Sequence, residues 1–350
     1  MAAVLTLAKK QSQRNKSQLI SGLSVIILLA VSGQCAAAEN EQDTKYDLSS
    51  YTAEQAYDAG RLMRAQFKDS MARPYLKYSA DNGNANSAYL YAMDIVSSNP
   101  NAETPELARE YLIKAANEGQ LDATYYLYKN GTWFRNATRL KYRNSYHDGS
   151  IELAESDPGK ASFNLYRYYS DLNNKKSSYY LKKSQQYLYA PAVLQSSIAS
   201  FDEQSNPKLN SKFIRDVEFI ANKGYMPALR ACVDYYEEKN KFDQALEWKE
   251  EALNYGDLMS LASLAKIYAG MVPSYSFVKT DLIKSYAYLS MYIDSAGKNR
   301  FSHLYSMMEN LYSDISEKMT KEQKDKANAL INKFKEKQVI YYNYDLLWNS

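Results

Sequence analysis

The sequence predicts an all-α fold, a solenoid of stacked helix pairs, and three observations predict it. Chain breakers are scarce, with 12 Gly and 8 Pro in 350 residues, which favours helices over many short strands. A turn signature recurs along the chain: Asp81-Asn82-Gly83, Asn117-Glu118-Gly119, Asn222-Lys223-Gly224 and Asn254-Tyr255-Gly256, each followed four or five positions later by a small residue (Ala88, Ala123, Ala228, Ser260). Ser295-Ala296-Gly297 closes the series, and the gaps from Gly83 to Gly119, Gly224 to Gly256 and Gly256 to Gly297 are 36, 32 and 41 residues, the period of a helix-pair array. Between the turns the apolar residues follow the helical period: Ala108, Tyr111, Leu112 and Ala115 fall on one face.

The first 38 residues read as a secretory signal. Lys9, Lys10, Arg14 and Lys16 form a basic start, Leu19 to Val31 is mostly apolar, and Ala36 and Ala38 fit a small-x-small cleavage rule before Glu39. The apolar run is shorter than the roughly 20 residues that span a bilayer, so no membrane span is expected in the mature chain. An uncleaved anchor and a lipidated Cys35 are the competing readings. Against the second, Ser32 and Gln34 fit neither the apolar nor the small position that a lipidation motif wants ahead of its Cys. The segment carries four of the positive charges in a chain of net +3, so the mature chain is left at −1. Its near-neutral charge gives no electrostatic case for nucleic acid. With Cys35 gone, Cys232 is the remaining thiol, no internal disulfide is expected, and its small apolar neighbours read as core.

Residues 39–60 read as an N-terminal lead-in, 61–336 as the solenoid, and 337–350 as an aromatic C-terminal tail. Thr104 reads as a helix N-cap with Pro105 in the first turn. Each turn glycine is placed to stop a helix, because the residue past the last turn goes left-handed without a Cβ clash. The small residue that follows is placed where two helices cross closely. Weaker turns sit near 156–159 and 186–192, and the stretch from about 130 to 215 lacks clean glycines. The run Val339-Ile340-Tyr341-Tyr342-Asn343-Tyr344 is apolar for a tail, and either a cap on the last repeat or a partner contact accounts for it.

Catalytic chemistry is not visible. The two histidines, His147 and His303, are far apart, with no metal-like neighbour three or four residues on and no C-x-x-C. His147 reads as a loop residue and His303 as helical. No phosphate loop, metal set, cofactor motif or nucleophile–base arrangement stands out.

At this point the residues resemble the Sel1-like repeat family, relatives of tetratricopeptide repeats. Ala108 to Gly119 (A-R-E-Y-L-I-K-A-A-N-E-G) and Ala245 to Gly256 (A-L-E-W-K-E-E-A-L-N-Y-G) are similar to the family's second helix, and Leu264 to Gly270 resembles its first. Tyr286-Ala287-Tyr288-Leu289-Ser290 and Met319-Thr320-Lys321-Glu322-Gln323 are similar to the ending of bacterial members. The resemblance covers about residues 70–335. It implies a right-handed α-solenoid of Sel1/TPR-like helix pairs whose first helices line a concave face, with no catalytic residues and no cofactor. Tyr89, Tyr125, Tyr126, Tyr128, Tyr166, Tyr169, Tyr235 and Tyr236 then lie on first helices, and Trp133 on a following loop. Tyrosine suits an interface through its apolar area, polar tip and low ordering entropy, so these residues are the expected contacts of a protein partner. Filling the spaces between helices is the competing role. By the same resemblance the chain is expected in the bacterial periplasm. Its partner would be a secreted toxin, with the chain acting as an immunity protein against a phospholipase-type type VI effector, or an envelope protein for which it is scaffold or adaptor.

Overall fold

The computed structural model describes residues 48–98, 103–200 and 207–342. The expected signal segment, residues 39–47 of the lead-in and the tail beyond Tyr342 lie outside these. Sixteen α-helices and two single 3-10 turns make up the described residues, with no strand among them. They are α1 (Ala53–Ala65), α2 (Asp69–Asp81), α3 (Ala85–Ser97), α4 (Glu106–Asn117), α5 (Leu121–Asn130), α6 (Asn136–Glu152), α7 (Pro158–Tyr169), α8 (Asn174–Gln186), α9 (Ala190–Ser200), α10 (Pro207–Ala221), α11 (Met226–Glu238), α12 (Phe242–Asn254), α13 (Leu258–Tyr268), α14 (Leu282–Ser295), α15 (Ser302–Lys318) and α16 (Lys321–Lys335). From α1 to α15 each helix packs on its neighbours in sequence, so α1 to α14 form seven antiparallel pairs, and α15 and α16 both close onto α14.

The expected logic of the turns holds at the clean repeats. Gly83, Gly119, Gly224 and Gly256 all take a positive φ, between 82° and 90°, at the end of a second helix. Ala88, Ala123 and Ala228 have no exposed surface, and Ser260 has 5%. The side chains of Asn84, Gln120 and Asp257 then accept the backbone N–H three residues on and start the next helix.

The middle keeps the period without the glycines. First helices begin at Leu121, Pro158, Ala190 and Met226, steps of 37, 32 and 36 residues. Leu188 occupies the left-handed position at the end of α8, as Phe67 does after α1 and Asn240 after α11. This is why a search for glycine finds no turn there.

Four expectations change. The first helix starts at Ala53, inside the expected lead-in, where Thr52 and Gln55 form a reciprocal capping box. Thr104 does not cap α4: the cap position falls on Pro105, and the Thr104 hydroxyl lies 3.1 Å from the Tyr126 hydroxyl instead. His147 lies on α6 rather than in a loop. Gly297 has no positive φ, and a Cβ there would stand 2.2 Å from the Phe67 carbonyl oxygen. It is small because another stretch of backbone comes close.

That approach is part of a larger feature: the array closes on itself. The Gly297 N–H donates to the Gln66 carbonyl at 2.7 Å, and Arg300 grips the Asp69 carboxylate through two nitrogens at 2.6 and 2.8 Å. The segment after α16 runs between the α1–α2 turn and the α12–α13 turn and is bonded to both. Of the two roles expected for the tail, the described part takes up a third: it ties the first pair to the sixth and seventh. Phe67, 1% exposed, belongs to the core of the carboxyl-terminal half through this contact.

Two hydrophobic clusters flank a leaner centre. One joins α1 to α5, and the other runs from α9 to α16 and takes in Phe67. Between them α6 buries only Tyr146 and Ser150, and α8 only Ser177 and Ser184, while α7 between those two buries Ala161, Phe163 and Leu165 among others.

Candidate functional site: the aromatic surface of the third and fourth pairs

Among the described residues, the third and fourth pairs carry three sets of aromatic side chains in contact. Asp122, in the first turn of α5, accepts from Arg167 of α7 at 2.7 Å. This bond lays the Arg167 guanidinium over the ring of Tyr125, 4.0 Å from its centre. Tyr125 in turn packs against Tyr146 at 4.9 Å and Tyr128 at 6.2 Å. Burial holds the Tyr146 hydroxyl far above the usual phenol range. Lys129 pairs with Asp171, in the turn after α7, and so links the ends of two successive first helices.

A second set spans α6, α7 and α8. His147 lies 4.8 Å from Tyr168, and its Nε2 is 3.3 Å from the Tyr169 hydroxyl. Tyr169 stacks on Tyr180 with planes 3° apart, Lys176 sits 4.9 Å from the Tyr169 ring, and Tyr179 meets Tyr180 edge-on. Tyr166 packs on Phe163, which also touches Tyr189. On the same stretch of chain Leu140, Ile151, Leu172, Tyr179, Tyr187 and Leu188 are all exposed, Tyr179 at 60%.

The expected contact residues divide into four sets. Tyr125, Tyr128, Tyr166 and Tyr169 fall within this surface, each half-buried. Burial raises the phenol pKa of Tyr128 and Tyr166. Tyr126 and Trp133 sit one step away, half-buried against the first cluster, with Arg109 4.8 Å above the Trp133 ring. Tyr235 is half-buried against Phe213, in the sixth pair. Tyr89 and Tyr236 are buried, at 4% and 8% exposure. Their rings fill helix–helix space and are not open to a partner. The Tyr236 hydroxyl donates to Glu218 of the preceding helix at 2.5 Å.

Tyr268 repeats that bond one repeat later, donating to Glu250 at 2.6 Å, and both pairs span 18 residues. These tyrosines are inter-pair rivets. The sequence held the signal, a Glu 18 residues before a Tyr, but a single spacing among many carboxylates does not stand out. Sequence reading also missed His147, Tyr179 and Tyr180 as members of the surface. The last two lie on α8, a second helix with no glycine to mark its end.

Among the described residues no three His, Cys, Asp or Glu side chains converge as a metal-ion site would require. No described helix is long and apolar enough to cross a membrane. Cys232 is fully buried, and burial pushes its thiol well above the usual range.

No family model matches this chain, and no curated protein does. Among solved structures, it is similar to a protective antigen of uropathogenic Escherichia coli strains displaying an SLR fold, at 16% identity and a TM-score of 0.39, over 83% of this chain and 62% of that one. It is also similar to a Sel1 repeat protein from Oxalobacter formigenes, at 16% identity and a TM-score of 0.37, over 79% of this chain and 86% of that one. This chain thus spans less than two thirds of the first of these proteins. On its own helices, it is an all-α solenoid of helix pairs, built on a repeat that resembles the Sel1-like repeat.

Proposed function

We propose that this protein is a non-enzymatic, protein-binding solenoid. The observation that carries the reading is the aromatic surface of the third and fourth pairs: preformed rings held by Arg167, Lys129 and Lys176, with exposed apolar side chains on the same stretch of chain. Interfaces are built this way, with rigid aromatic and Arg anchors at the centre and adaptable groups around them. The lean centre beneath the surface adds a second support. A segment that buries few apolar side chains of its own can adjust to a partner at little cost in core packing.

The finer reading is that the chain is exported to the periplasm, following its basic and apolar first 38 residues. There it acts as an immunity protein that occludes a phospholipase-type type VI effector. An envelope scaffold or regulatory adaptor, in polysaccharide export, motility or signalling, is the alternative. The distinguishing experiment mixes the chain from Glu39 onward with the host's secreted lipid hydrolases and follows their activity. Loss of hydrolysis at one equivalent supports immunity. Undiminished hydrolysis, with recovery of export or motility components instead, retires it in favour of the scaffold.

The site itself has its own test. Tyr128→Ala combined with Tyr169→Ala is expected to weaken partner binding by at least about 2 kcal/mol, the scale of interface hot spots, while the helical content is unchanged. Equal binding by the double variant would move the interface elsewhere.

A further inference from the structure

The segment after α16 occupies a cleft that is built for it. From the Ile340 carbonyl to the Tyr342 carbonyl, five consecutive backbone groups are bonded. The Gln66 side-chain amide donates to the Ile340 carbonyl at 2.7 Å. The Tyr341 N–H donates to the Gly256 carbonyl at 2.9 Å, and the Tyr341 carbonyl accepts from the Leu258 N–H at 3.0 Å. The Tyr342 N–H donates to the Ala65 carbonyl at 2.8 Å, and the Tyr342 carbonyl accepts from Arg230 at 2.5 Å. These partners come from three places distant in sequence, so the cleft exists only in the folded array.

The side chains are read as closely as the backbone. Ile340, at 5% exposure, enters the main core. The ring of Tyr342 lies between the Arg230 guanidinium, 3.7 Å from its centre, and the ring of Phe67, 5.1 Å away. Arg230 is held flat by Asp257, which is 1% exposed and also caps α13 through the Ser260 N–H at 2.8 Å. Two glycines clear the space: a Cβ on Gly256 would meet the Val339 carbonyl at 2.1 Å, and one on Gly297 would meet the Phe67 carbonyl.

We infer that the cleft formed by the 65–68 turn, Arg230 and the 255–258 turn is a receptor for an extended Ile-Tyr-Tyr peptide segment, filled by the chain's own residues 340–342, and that this occupant straps the array closed. Main-chain bonds supply affinity and side-chain pockets supply selectivity, the logic by which an added strand is recognised at an exposed backbone edge. The inference is independent of the partner surface, since it concerns other pairs.

The test keeps the full chain and ejects the strap by Ile340→Asp with Tyr342→Ala. The probe is a labelled peptide of the sequence of residues 337–344. The variant is expected to bind the peptide, to keep its helical content, and to exchange the Leu258 and Gly297 amide protons at least tenfold faster than the parent until the peptide is added. The parent, whose cleft is occupied, is expected to bind the peptide about a hundredfold more weakly if the strap is out about one part in a hundred of the time. Arg230→Lys serves as the second variant. It keeps a charge partner for Asp257 but loses the flat face and the forked donors, so faster Tyr341 and Tyr342 exchange is expected from it. Equal binding of the peptide by parent and ejected variant overturns the inference. So does failure of a folded ejected variant to bind it. If that variant does not fold, unchanged Tyr341 and Tyr342 exchange in Arg230→Lys overturns it instead.

Discussion

At the scale of single residues, the turn glycines separate two effects that usually come together. Gly119 and Gly224 both hold a positive φ, near 88° and 82°. Around Gly119 there is open space, whereas a Cβ on Gly224 would meet the Tyr255 ring at 2.6 Å. Gly119→Val therefore adds only the left-handed strain, about 1–2 kcal/mol. Gly224→Val adds that strain and a clash, so thermal melting should show the larger drop for Gly224→Val and a smaller but clear drop for Gly119→Val. Neither residue touches the aromatic surface, so partner binding by the folded fraction should be unchanged. Gly297 apart, the turns that sequence reading found are those where glycine takes the strain. At Phe67, Leu188 and Asn240 a side chain bears the same conformation, and no residue type announces it.

At the scale of elements, the helices differ sharply in what they bury. Every residue from Ser87 to Asp94 of α3 is buried, and α13 buries eight of its residues, whereas α6 and α8 bury two each. Local opening free energy follows buried contact. Hydrogen exchange should thus find α6 and α8, with the terminal α16 that also buries only two residues, the least protected long helices and α3 and α13 among the most protected; uniform protection would refute the lean centre. The same contrast explains what was legible. Apolar periodicity reports helices with an apolar face, so the flanking pairs stood out. In α8 the buried positions are Ser177 and Ser184, the latter donating to the Gly159 carbonyl at 2.7 Å, and no hydropathy pattern marks a serine as core. The aromatic surface was legible in part for a related reason. A tyrosine in sequence does not say whether its ring spans a helix interface, as Tyr236 does, or lies at the rim, as Tyr179 does.

At the scale of the molecule, the abundance of buried tyrosine sets an alkaline limit. Burial raises Tyr288 and Tyr292 to about 12. Burial and a carboxylate acceptor raise Tyr236, Tyr268 and Tyr275 further above the ordinary value of 10.0. Below that value both folded and unfolded chains keep these protons. Above it the unfolded chain loses them first, so stability is full up to about pH 10 and falls as pH climbs toward the folded values. The urea midpoint should hold to about pH 9 and drop by about pH 11, and tyrosinate absorbance should appear in step with unfolding. An unchanged midpoint would mean that the phenols ionise in place.

The contact between Gly297 and Gln66 and the strap beside it also alter how the molecule comes apart. A linear stack of repeats frays: its terminal unit has one neighbour, so unfolding begins there by losing a single interface and spreads inward. Here the first pair is held from both sides, by α3 on one and by the 294–300 and 338–342 segments on the other. Peeling away any unit then requires two interfaces to fail together, which turns a graded, end-first process into one closer to all-or-none.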